Sequence, residues 1–160
     1  MAVNQELVGR EFPPTAPYLV GREKVREFAR AVFADAPQHT DVEAARAAGF
    51  SDVVAPPTFA MVIQDLTLQQ LLGQEDSGIA LERTIHAEQR FTYTRPIVAG
   101  DELTAQLRVT GIRMMGGNAM ITSEAEITDP AGAHVVTATS VLLVGAEPSA
   151  EPSAGEEGTA

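Results

Sequence analysis

The chain has 160 residues, enough for one domain with a real core, and carries 22 acidic against 11 basic side chains for a formal charge of −11. That balance opposes nucleic acid as a partner, the absence of cysteine excludes disulfides and thiolate metal sites, and three scattered histidines argue against a dedicated metal centre. No run of about 18 apolar residues suited to spanning a membrane occurs, and MAVNQELVGREF has neither a basic nor an apolar leader region, so a cytoplasmic protein with no membrane partner is expected.

Residues 6–20 (ELVGREFPPTAPYLV) mix apolar residues with Pro and Gly breaks and read as an extended lead-in with short strand character. GREKVREFARAVF follows. Its Val25, Phe28, Ala29, Val32 and Phe33 recur at helical spacing, with Glu23, Lys24, Arg26, Glu27 and Arg30 opposite, which predicts an amphipathic helix. Past Pro37, Thr40 or Asp41 caps a short helix, DVEAARAAG, that stops at Gly49, where a positive φ is favoured. After SDVVAPP, Pro57 or the residue before it opens a third helix, TFAMVIQDLTLQQLLG. Its apolar residues wrap most of the circumference, so it is expected to be buried on several sides.

Four segments rich in Thr, Val, Ile and aromatics follow: RTIHAEQRFTYTRPI, DELTAQLRVTGIRMM, NAMITSEAEITDP and HVVTATSVLLVG. Alternation such as Leu103, Ala105, Leu107 and Val109 predicts strands, and the joins Met115-Gly116-Gly117-Asn118 and Asp129-Pro130-Ala131-Gly132 carry turn chemistry. Helices followed by long antiparallel strands give an α+β domain over residues 1–145, with a curved sheet around one apolar helix: the hot-dog architecture. Residues 146–160 (AEPSAEPSAGEEGTA) hold almost nothing to bury and read as a disordered acidic tail.

VGREFPPTAPYLVGREKVREFARAV, PQHTDVEAARAAGFSDVVAPPTF and IHAEQRFTYTRPIVAGDELTAQLRV together resemble the MaoC-like hot-dog hydratases and dehydratases, over roughly residues 5–145. The similarity is to their short actinobacterial branch, which includes the subunits of mycobacterial (3R)-hydroxyacyl-ACP dehydratase. The resemblance implies reversible addition or loss of water on an acyl-CoA or acyl-ACP thioester in fatty-acyl metabolism, with no cofactor and no metal. In such enzymes a G-D-x-N-P-x-H stretch supplies an Asp/His pair that moves protons, and an amide at the start of the hot-dog helix polarises the thioester carbonyl.

Laid over FADAPQH, that motif matches at Pro37 and His39, but Phe33, Ala34 and Ala36 stand where Gly, Asp and Asn are expected. Asp35 falls one residue late and is the candidate partner of His39, while Asp41 reads as a helix cap. Pro57 occupies the place where the family often has glycine and has no N–H, so either Thr58 or Phe59 is the oxyanion donor or the carbonyl is held differently. His86 reads as a strand-end polar residue, His134 as a solvated hairpin residue, and Met114, Met115 and Met120 as core filling or the lining of an acyl tunnel.

Two readings stand at this stage. The first is an (R)-specific 3-hydroxyacyl-thioester dehydratase or enoyl-thioester hydratase using His39 and Asp35. The second is a noncatalytic acyl-binding subunit whose partner carries an intact Asp/His pair. In either case an exposed sheet edge calls for a homodimer or a heterodimer with a related hot-dog subunit. An acidic carrier would need a local basic patch, for which Arg22, Lys24 and Arg26 are the candidates.

Overall fold

The computed structural model describes residues 2–146; apart from Ala146, the expected 146–160 tail lies outside them. Three helices, α1 (Arg22–Ala31), α2 (Val42–Ala47) and α3 (Ala60–Leu72), accompany five strands: β1 (Tyr18–Leu19), β2 (Thr84–Tyr93), β3 (Glu102–Met115), β4 (Asn118–Thr128) and β5 (His134–Val144). The sheet is antiparallel throughout, in the order β1-β3-β4-β5-β2, with α3 packed on its inner face. This is the expected α+β hot-dog arrangement, and the last three strands form the expected meander. Among the described residues, no helix is long and apolar enough to cross a membrane.

Burial follows the alternation of the strands. Leu103, Ala105, Leu107 and Val109 of β3 are all fully buried, and they meet Phe59, Ala60, Ile63, Leu68 and Leu71 from the helix and the turn ahead of it. Phe28 of α1 meets Phe59 edge-on, with ring centroids 5.3 Å apart, and so docks α1 on the start of α3.

Two edges close differently. Along β3 the N-terminal lead-in covers the ladder through bonds from Gly9 N to Val109 O, Phe12 N to Leu107 O and Thr15 N to Ala105 O. Strand β2 pairs only with β5 among the described elements, so its outer edge is open. A polar string crosses the core to that edge. Gln64, fully buried on α3, donates to Ala138 O (3.2 Å) and Ser140 Oγ (3.3 Å) and accepts from Gln89 of β2 (2.8 Å). The string ends at the Gln89 Oε1, which is buried and meets no donor among the described residues.

One ion pair anchors the connection ahead of α3. Arg22, the first residue of α1, donates from Nε to Asp52 Oδ1 (2.9 Å) and from Nη2 to Oδ2 (2.6 Å), and the Val53 amide adds a bond at 2.8 Å. These donors, led by Arg22, pull the Asp52 carboxyl down from 3.8 to about 2. Because the folded-state value is the lower one, the contribution is present above the ordinary carboxylate range and is lost as pH falls toward 2. Asp52→Asn is therefore expected to cost about 1 kcal/mol at pH 7, since Arg22 is half-exposed and the pair is screened, or roughly 3 °C in Tm. Thermal unfolding of both proteins followed by circular dichroism should show that gap closing by about pH 2.

Candidate functional site

His39 ends a 3-10 turn, Pro37–His39, whose first residue has its φ set by the proline ring and whose carbonyl accepts from Thr40 N (3.0 Å) and Asp41 N (2.8 Å). The turn grips one residue across the fold: Val54 N donates to Gln38 O (3.0 Å), and His39 Nδ1 donates to Val54 O (2.7 Å). A carbonyl can only accept, so the neutral imidazole carries its proton on Nδ1 and leaves a lone pair on Nε2. Val54 is held on its other side by the arm that follows β2, through Ala55 N to Ile97 O (2.8 Å) and Ala99 N to Val53 O (2.9 Å).

Half-buried, His39 lines a cavity of about 450 Å³. Phe50, Val54, Pro57 and Ile97 supply apolar wall, and Tyr93, Thr94 and Arg95 contribute the polar side opposite. The Arg95 charge is already matched, with a bond to Asp101 at 2.8 Å and Asp129 at 3.9 Å. Tyr93 donates its hydroxyl to Pro57 O at 2.6 Å, and burial pushes its phenol up to about 12. Among the described residues no three His, Asp or Glu side chains converge as a metal would require.

Asp35 is not brought to His39. It is exposed and forms no hydrogen bond or ion pair with the imidazole, while its neighbours Ala34 and Ala36 are half-buried. In this non-helical stretch the in-and-out alternation turns position 35 outward, and the inward position 34 holds the alanine that stands for the family's aspartate. Asp41 caps α2, accepting from Ala44 N at 2.7 Å.

At the helix start, Phe59 is fully buried and its N–H donates to Pro56 O (2.9 Å), so it offers no amide to a ligand. Thr58 is exposed, and its N–H meets no acceptor among the described residues. The candidate basic patch is neutralised within the chain: Arg22 pairs with Asp52, Lys24 with Glu27 and Arg26 with Glu23.

Further side chains depart from the sequence reading. His134 is not a free hairpin residue: its Nδ1 meets Thr94 Oγ1 at 2.6 Å and its Nε2 meets Thr137 Oγ1 at 2.8 Å. Phe33, expected on the buried stripe of α1, lies past the helix end and is 85% exposed. The helix closes with Ala34 N to Ala29 O (2.9 Å) and Phe33 N to Arg30 O (3.3 Å), which places Phe33 in the left-handed position with φ 56°. Glycine adopts that conformation without the steric cost a side chain brings. Tyr93 and Thr94 carry no signal in the sequence because their partners, Pro57 and His134, are far away along the chain.

A family model described as FAS1-like, dehydratase domain region, matches residues 6–138. The UPF0336 protein of Clavibacter michiganensis subsp. michiganensis is 63% identical over 144 residues, covering 90% of this chain and 97% of the relative. Among solved structures, the C-terminally truncated HadBC (3R-hydroxyacyl-ACP dehydratase) complex from Mycobacterium tuberculosis is similar at a TM-score of 0.76 and 29% identity, over 86% of this chain and 96% of that one. A MaoC-like dehydratase gives a TM-score of 0.79 and 37% identity over 89% of this chain, but only 43% of its own.

Two measurements check the local geometry. Nitrogen-15 spectra should show the neutral His39 ring as the Nδ1–H tautomer; the opposite tautomer would break the assigned bond to Val54. Phe33→Gly should stabilise the chain by about 1 kcal/mol in urea unfolding, the size of the strain released at a left-handed residue.

Proposed function

We propose, on the premise that this chain belongs to the family of FAS1-like dehydratase regions, that it is the acyl-thioester-binding subunit of a hydratase or dehydratase of fatty-acyl metabolism in the cytoplasm. It holds the acyl group of a CoA or carrier-protein thioester in the His39 cavity, with the Thr58 amide at the thioester carbonyl. One observation carries this reading: an imidazole with a free Nε2 faces an apolar cavity, and no carboxylate of the described residues pairs with it.

Eliminating water from a 3-hydroxyacyl thioester removes an α-proton and protonates the departing hydroxyl, which calls for two proton-transfer groups within about 3 Å of their targets. Nδ1 is committed to Val54 O, so His39 offers one exchangeable position. The second group has to come from another chain. The open edge of β2 is the place for it, because Tyr93, the last residue of β2, lines the cavity. A partner hot-dog subunit pairing there would lie beside the cavity and supply its carboxylate. Support for a partner comes from the similar mycobacterial structure, which is a complex, and from the MaoC-like dehydratase, whose length leaves room for a second unit of this size.

The test is hydration of crotonyl-CoA, followed by loss of its enoyl absorbance, alongside equilibrium dialysis of the saturated butyryl-CoA. Binding without turnover is expected of the chain alone, and Phe33→Gly/Ala34→Asp, which restores the missing carboxylate, should raise hydration by on the order of 10²-fold. Turnover by the unmodified chain that His39→Ala abolishes would show instead a self-sufficient enzyme, and absence of butyryl-CoA binding would sink the assignment.

A further inference from the structure

The hydrogen bond between Tyr93 and Pro57 acts on more than the two residues it joins. Pro57 C=O and Thr58 N–H belong to one peptide unit, planar and trans, so the direction of the carbonyl dictates the opposite direction of the N–H. Within this turn that N–H is the single uncommitted amide. Pro56 and Pro57 have none, and Phe59 donates to Pro56 O at 2.9 Å.

We infer that Tyr93 is a positioning residue for the reaction: by donating to Pro57 O at 2.6 Å it fixes the plane of the Pro57–Thr58 peptide and thereby aims the Thr58 N–H at the thioester carbonyl. This rests on the thioester reading above. A hydrogen bond to an amide carbonyl also polarises the whole unit, which makes its N–H the stronger donor. The phenol is well placed to hold this job. Tyr93 is registered opposite Val136 at the end of β2, and its ring packs beside Phe91 with centroids 6.4 Å apart, so the rigid sheet sets its position. Burial keeps the hydroxyl protonated up to about pH 12, so it donates throughout the working range, and the same property makes it a poor proton donor to substrate.

The sequence around Tyr93 is silent on this role, and a purely structural tyrosine predicts a different outcome from the following experiment. Full-length wild type and Tyr93→Phe, which keeps the ring and loses the hydroxyl, are titrated with butyryl-CoA and with S-butyl-CoA, the thioether that lacks the carbonyl. The expected result is binding of the thioester weakened by about tenfold in Tyr93→Phe, the loss of one aimed hydrogen bond, with thioether affinity unchanged. Thr58→Pro, which deletes the donor itself, should give the same pattern. Equal losses for both ligands would mean that the hydroxyl only shapes the cavity, and no loss for either would mean that it does nothing at the carbonyl; each overturns the inference. If wild type binds neither ligand, the thioester reading has failed by itself, and the Thr58 amide in nitrogen-15 spectra of the free proteins decides: a resonance that moves in Tyr93→Phe supports control of the peptide plane, and one that stays put overturns it.

Discussion

Both polar groups of the Val54 backbone are taken by one turn: its N–H by Gln38 O and its carbonyl by the His39 ring. The cavity depends on that grip. It closes the loop from α1 onto the segment leading into α3, and in the same act it selects the tautomer of the one imidazole in the cavity wall. A histidine free of Val54 would lose both its orientation and its defined lone pair. Buried neutral hydrogen bonds of this kind contribute only about 1 kcal/mol each to stability, so their value here is geometric.

Around that grip the fold is braced at both ends. Arg22 and Asp52 tie the start of α1 to the residue ahead of Val53, and Arg95 and Asp101 stiffen the arm that pairs with Val53 and Ala55. The bracing has an electrostatic consequence. Arg95 in the cavity wall, and Arg22 and Arg26 on α1, are each matched by a carboxylate of this chain, and the chain as a whole is acidic, so little positive charge remains free there.

The departures from the family motif fit one another. With alanine at position 34 there is no carboxylate for the imidazole, and the backbone geometry that favours glycine at position 33 persists there under a phenylalanine. At the helix start, two prolines remove donors that a glycine would keep, and a tyrosine from β2 holds the carbonyl of the second. The imidazole lines the cavity, and the Thr58 amide at the helix start meets no acceptor among the described residues.

The alternation of apolar residues along β3, the capping aspartate at position 41 and the all-round apolar character of α3 were enough to place the helices, the strands and the architecture, because each is a local periodicity that the backbone must obey. The imidazole was also legible, as the one histidine in a proline turn ahead of a helix. Three things were not. Asp35, one residue late against the motif's aspartate, is the sequence's candidate partner for His39, whereas the alternation of the connecting residues turns it to solvent. Gln64 sits fully buried in α3 because Ala138, Ser140 and Gln89 meet it from two other strands. Tyr93 likewise meets Pro57 in the turn ahead of α3, and His134 meets Thr94 from beyond the end of β2. Local sequence determines which way a residue can point, since that depends on the backbone period alone; what it meets there is decided by the docking of segments dozens of residues apart, and no short-range pattern encodes that.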